Sequence, residues 1–140
     1  MKQYLAIDVG GTSTKYALVS EQGELAEKHK QPTARNSRAE FMAAMTMLIH
    51  RYQGQIAGVG LALPGVVNQQ QGIVKTCAAL PFLETMPLAA RLKDAAHLNT
   101  PVVIENDGNA AALAEHWQGK LAGTINSAMI AVSYTHLRAH

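Results

Sequence analysis

The chain has 140 residues, 48% of them hydrophobic, with a formal net charge of +2. That is enough apolar material for one ordinary domain with a buried core. Lys and Arg are dispersed, so nothing argues for a nucleic-acid groove or a polybasic membrane patch, and no apolar run is long enough to cross a bilayer. The amino terminus passes almost at once into a strand without a signal-type apolar region, so a cytoplasmic location is expected. The lone Cys77 agrees, and reads as a small core or pocket-wall residue rather than a reactive thiol.

In chain order, Tyr4 to Val9, Lys15 to Ser20 and Leu25 to Gln31 read as three consecutive strands joined by tight turns. The first turn is Asp8-Val9-Gly10-Gly11-Thr12-Ser13-Thr14-Lys15. Adjacent glycines let backbone N–H groups face an anion without an intervening Cβ, and Thr12 and Thr14 add hydroxyl donors. Asp8, at the strand end, is placed to hold magnesium through water. A dinucleotide fingerprint or a P-loop would open into a helix here, whereas a strand follows, so neither motif fits. A plain glycine hairpin explains the turn equally well, and Lys15 either anchors that hairpin or touches phosphate.

Ser37 and Glu40 have capping-box spacing, and Phe41, Met45, Leu48 and Tyr52 recur at helical intervals behind them. Met42, Met45 and Met47 read as core or interface packing rather than a Met-rich binding face. Ile56 to Leu63 is the next strand, with Gly58 and Gly60 marking close approach, followed by Pro64-Gly65 and a turn at Asn68 to Gly72. Leu88 to His97 reads as a helix, stopped by Asn99-Thr100-Pro101. The apolar run Val102-Val103-Ile104 then ends in Glu105-Asn106-Asp107, before an alanine-rich helix expected to start near Gly108 or Asn109. Polar groups therefore gather at a strand's carboxyl end, where open α/β sheets bind ligands. Helix capping by Asp107 or Asn109 accounts for one such side chain but not for three in succession. A sugar kinase needs such a set, because a carboxylate must take the proton of the attacking alcohol while its neighbours hold other hydroxyls.

Asp8-x-Gly10-Gly11-Thr12-x-x-Lys15, Leu63-Pro64-Gly65 and Glu105-Asn106-Asp107-x-Asn109-Ala110 together resemble the repressor, ORF and kinase (ROK) family of sugar kinases, from about Tyr4 to about Val132. The resemblance implies an α/β chain of the actin-like ATPase, ribonuclease-H-like fold, in which this is the amino-terminal lobe of a truncated two-lobe kinase. It implies ATP and Mg2+ as cofactors for phosphorylating a hexose, amino sugar or β-glucoside. It makes Asp107 the catalytic base, and Glu105, Asn106, Asp107 and Gly65 the sugar site. It assigns Asp8, Gly10, Gly11, Thr12, Thr14 and Lys15 to the phosphate site, with Asp8 the magnesium residue. The parent protein is expected to be a homodimer.

Two departures stand out against that pattern. Ala79 takes a position where many members carry a sugar-contacting Asn, which favours amino sugars, N-acylated sugars and β-glucosides over glucose. Ser133 to His140 contains no glycine where a second glycine-rich phosphate turn is expected, and it resembles translated adapter sequence. The expected layout is a kinase lobe over residues 1–122, the start of a second lobe over 123–132 after Gly123, including a strand from Ala128 to Val132, and a non-native tail over 133–140. Lacking the second lobe, the fragment itself is expected to be inactive and poorly soluble. His29, His50, His97, His116, His136 and His140 have no Cys partners at zinc spacing, and any family zinc would bind in the missing half. Glu115 and Trp117 are expected to cap and pack rather than touch ligand. With three residues before the first strand, the DNA-binding segment of a transcriptional regulator is not expected here, and a basic helical extension upstream would revive that alternative. A non-catalytic sugar sensor would need no base, and the chain keeps both Asp8 and Asp107.

Overall fold

A computed structural model describes residues 3–20 and 24–110. Strands β1 (Gln3–Val9), β2 (Ser13–Ser20) and β3 (Leu25–Pro32) form an antiparallel meander. Helix α1 (Arg38–Arg51) carries the chain to β4 (Val59–Leu63), which returns parallel to β1. A hairpin of β5 (Val66–Asn68) and β6 (Ile73–Thr76), a 3-10 turn at Pro81–Leu83 and helix α2 (Leu88–Ala95) then lead to β7 (Val102–Asn106), parallel to β4. The main sheet has the order β3-β2-β1-β4-β7.

One sheet face carries the large apolar side chains. Leu5, Ile7 and Val9 of β1 align with Tyr16 and Leu18 of β2, Val59, Leu61 and Leu63 of β4 and Ile104 of β7. Phe41, Met45, Leu48 and Ile49 of α1 and Leu88 and Leu92 of α2 complete this core. The alternate residues on the other face are small where the strands are most central, with Ala6, Ala17, Gly60 and Ala62. Period-two alternation thus separates a greasy face from a thin one that leaves room beside Asp8.

The Ser37 cap forms as its spacing predicts, its hydroxyl accepting from the Glu40 N–H at 3.1 Å. The three methionines divide: Met45 is buried, Met42 packs partly against the core, and Met47 is 67% exposed. Strand β4 begins at Val59 rather than Ile56, although the Ala57 N–H already donates to the Gln3 carbonyl. Helix α2 stops at Ala95, short of the expected His97. His97 has φ +54, and the His97 and Leu98 N–H groups donate back to the Asp94 and Lys93 carbonyls. That is a left-handed C-terminal cap of the kind glycine usually supplies, so a histidine there gave no stop signal in the sequence. The turn at Asn68 to Gly72 joins β5 and β6, which the sequence reading did not name as strands. The Ala128–Val132 strand, the lobe boundary near Gly123, the tail, Glu115, Trp117, His116, His136 and His140 lie outside the described residues.

Two substitutions test these caps by chemical denaturation. Ser37→Ala is expected to destabilise the fold by about 1 kcal/mol, since it removes the first-turn acceptor. His97→Gly is expected to stabilise it by about 1 kcal/mol by relieving the Cβ clash of a left-handed residue; a loss of stability would show that the imidazole packs usefully.

Candidate active site

Parallel β1, β4 and β7 bring their carboxyl ends to the same edge of the sheet. In the register, Asp8 lies beside Ala62, Ala62 beside Glu105, and Leu63 beside Asn106. Neighbours in such a row project to one face, so Asp8 and Glu105 flank the small Ala62. On the other side of β1, Asp8 pairs with Lys15 of β2. The diglycine turn, the Pro64-Gly65 turn and the 105–107 cluster all extend beyond this edge.

Asp8 is 7% exposed, and its pKa is pushed from 3.8 up to about 6. Burial is the main cause; the Lys15 ammonium pulls the value down, and the Asp107 carboxylate pushes it up again. The Asp107 carboxylate is therefore near enough for its charge to be felt at Asp8. A partly desolvated carboxylate within electrostatic reach of a second one is a donor set suited to Mg2+, which takes one or two carboxylates and completes its shell with water and substrate oxygens. Among the described residues no group of three or more His, Cys, Asp or Glu side chains gathers around a common point.

The turn itself closes through the Gly10 N–H, which donates to the Ser13 carbonyl at 2.9 Å, so this amide is internal. Among the described residues the Gly11 and Thr12 N–H groups have no acceptor. Thr12 and Lys15 are exposed. Thr14 is placed differently from its expected role as a phosphate donor. It pairs with Val9, on the face opposite Asp8, is fully buried, and its hydroxyl lies 2.9 Å from that of Thr33. It braces the hairpin from behind.

Around the second turn, the Asn106 amide donates to the Gly65 carbonyl at 2.6 Å and its Oδ1 accepts from the Asn109 N–H at 3.1 Å. Asn106, not Asp107 or Asn109, is thus the cap of the helix, which begins at residue 107 rather than at Gly108 or Asn109. A Cβ on Gly65 would run into the Thr76 carbonyl oxygen and Cys77. Glu105 is buried, with Oε1 accepting from the Asn106 N–H at 2.7 Å and the Asn109 amide at 3.5 Å. Asp107 is exposed, and its Oδ1 accepts from the Gly108 N–H at 2.8 Å.

Ala79 reaches the tip of the hairpin, its Cβ lying 3.7 Å from where a Cβ on Gly11 would be. Glu84 holds this loop, its Oε2 accepting from the Cys77 N–H at 3.1 Å, while the Cys77 thiol contacts the Pro64 carbonyl at 3.7 Å. Burial pushes the Cys77 pKa up, so it serves as a packed wall. Glu84 and Thr33 were missed in the sequence, where neither belongs to a motif.

The ROK family model matches residues 4–134. The chain belongs to the ROK family. A glucokinase of Halalkalibacterium halodurans is 29% identical over 135 residues, which make up 91% of this chain and 40% of that protein. An N-acetyl-D-glucosamine kinase of Vibrio cholerae is 32% identical over 121 residues, covering 84% of this chain and 39% of that one. The solved ROK family glucokinase of Streptomyces griseus, in complex with glucose and AMPPNP, superposes with a TM-score of 0.71 at 25% identity over 81% of this chain and 36% of its own. The ROK chain thus has the mixed α/β, actin-like architecture of its structural neighbours, and it spans about 40% of the length of the curated relatives it matches.

The raised pKa of Asp8 fixes a sign for stability. A carboxyl whose folded pKa exceeds its unfolded value binds protons more tightly when folded, so stability declines as pH rises from about 4 to about 6 and then levels off. In EDTA, Asp8→Asn is expected to be more stable than the parent at pH 7 by up to about 3 kcal/mol, and equal to it near pH 3.5. Urea unfolding at the two pH values measures this; an equal difference at both would show that burial of Asp8 is not what shifts it.

Proposed function

We propose that the full-length protein carrying this chain is an ATP-dependent sugar kinase, with this lobe supplying the phosphate hairpin and the base. The observation that carries the reading is the meeting of Asp8 and Asp107 at one sheet edge, close enough for charge on one to raise the pKa of the other. Membership of the ROK family and similarity to a glucokinase and an N-acetyl-D-glucosamine kinase support it.

In this reading the sugar lies against the Pro64-Gly65 turn, beside Glu105 and Asn106, with the hydroxyl to be phosphorylated at Asp107. Asp107 is exposed and so within reach of a substrate arriving from solvent. It takes the hydroxyl proton as the sugar oxygen bonds to the γ-phosphorus; the bond from that phosphorus to the bridging oxygen breaks, and ADP departs with the electron pair. The Gly11 and Thr12 N–H groups and the Lys15 ammonium hold the phosphates. Asp8 would hold Mg2+ through water, and the bound ion supplies charge neutralisation across the phosphates. Ala79, beside Gly11, offers no hydrogen-bonding group, which suits a sugar with an apolar substituent such as an N-acyl group or an aglycone. A lobe boundary near Gly123, a homodimeric parent and a cytoplasmic setting belong to the same proposal.

Asp107→Asn in the full-length protein tests the base. Phosphorylation with ATP, assayed over glucose, N-acetylglucosamine, N-acetylmannosamine and a β-glucoside, is expected to fall about 100- to 10,000-fold, while the dissociation constant of the sugar changes little. Turnover within a few-fold of the parent would remove Asp107 from the role of base.

A further inference from the structure

The carbonyl groups of the phosphate hairpin from Gly10 to Ser13 are all engaged, three of them from one segment. The Thr33 hydroxyl donates to the Gly10 carbonyl at 2.8 Å, the Arg35 guanidinium to the Gly11 carbonyl at 3.4 Å, and the Thr33 N–H to the Thr12 carbonyl at 2.9 Å. The Ser13 carbonyl accepts from the Gly10 N–H. A hydroxyl has a single proton, so with that of Thr33 committed to Gly10, the Thr14 hydroxyl must donate to Thr33 at 2.9 Å. Thr33 is 7% exposed and Thr14 fully buried, so the two hydroxyls that carry this chain to the Gly10 carbonyl are shielded from water.

Every peptide bond in the described chain is trans. In a trans peptide the C=O and the following N–H point in opposite directions. Holding the Gly10 and Gly11 carbonyls toward Thr33 and Arg35 therefore turns the Gly11 and Thr12 N–H groups away from that segment, and among the described residues neither of these amides has an acceptor. Diglycine would otherwise sample many orientations, because it lacks the steric limits that a Cβ imposes. Donation into a carbonyl also polarises its peptide and strengthens the N–H on the far side.

We propose that Thr33 and Arg35 are positioning residues that set the phosphate hairpin in its anion-binding form, acting through the Gly10–Gly11 and Gly11–Thr12 peptides without touching the ligand. The inference rests on the hairpin reading above and adds to it the device that makes a glycine pair behave as a fixed pair of donors. Thr33→Val keeps the shape and the backbone N–H but removes the hydroxyl; Thr33→Ser keeps the hydroxyl. Arg35→Gln, at an exposed position, spares the core and provides a test even if Thr33→Val does not fold.

In the full-length protein, calorimetric titration with Mg-ATP and with tripolyphosphate measures the donors directly. Thr33→Val is expected to weaken both ligands up to about tenfold, Arg35→Gln a few-fold, and Thr33→Ser to stay within about twofold of the parent. In steady-state kinetics the KM for Mg-ATP rises correspondingly, with the KM for sugar unchanged. A merely structural role would instead reduce the active fraction, lowering kcat at constant KM. Parent-like affinity for both ligands in folded Thr33→Val, or in Arg35→Gln should Thr33→Val not fold, overturns the inference while leaving the kinase reading intact, and so does failure of Thr33→Ser to restore binding. If the parent itself binds neither Mg-ATP nor tripolyphosphate, the hairpin reading falls and this inference with it.

Discussion

The parallel register of β1, β4 and β7 is the constraint on which the site depends. Asp8 and Glu105 share a row with Ala62 between them, two strand spacings or about 10 Å apart. A one-residue slip of β7 would turn Glu105 toward the core and Ile104 toward the cleft, reversing every side chain on that strand. The slip is opposed by the burial of Ile104 among Leu61, Ile7 and the helices, since moving one such side chain into water costs about 2 kcal/mol. The apolar core on one face therefore fixes the polar geometry on the other, although no core residue touches the cleft.

This coupling leaves the site in mild conflict with the lobe's own stability. Asp8 is buried beside another carboxylate and binds a proton more readily than a free aspartate does. The neighbouring Lys15 ammonium pulls the value down but does not outweigh burial. Such unrelieved charge is characteristic of functional sites, where a ligand or ion completes what the fold leaves open. The Gly65 turn shows the same logic in steric form: it approaches Thr76 and Cys77 so closely that no Cβ fits, so the backbone itself becomes a surface a ligand can meet.

Much of the scaffold was legible because it rests on local rules. The Ser37 and Glu40 spacing, the helical repeat from Phe41 to Tyr52 and the apolar run before Glu105 each report a periodicity or a cap that needs no tertiary information. What was illegible depended on where chains meet. Thr14 reads as one more hydroxyl in a polar turn, yet strand alternation from Asp8 and Lys15 places it on the buried face, and only its pairing with Thr33, 19 residues away, gives the hydroxyl a purpose. The resemblance makes Asn106 a sugar ligand, while its cap and its bond to Gly65 follow only from β4 lying beside β7. His97 ended a helix in a conformation the sequence could not advertise. The meeting of Asp8 and Asp107 came from resemblance, not from spacing, since the 98 intervening residues say nothing about distance.

The two assigned roles of Asn106 bear on how the sugar site is built. Its amide is committed to Gly65 and its oxygen to the helix that starts at Asp107. A side chain so engaged can still offer a second amide proton, because an NH2 group has two and Gly65 takes one. The same residue can then fix the distance between the Pro64-Gly65 turn and the Asp107 helix while presenting its remaining donor to a hydroxyl. Structural bracing and ligand contact are thus compatible at Asn106 in a way they are not at Thr14, whose single proton is already given away.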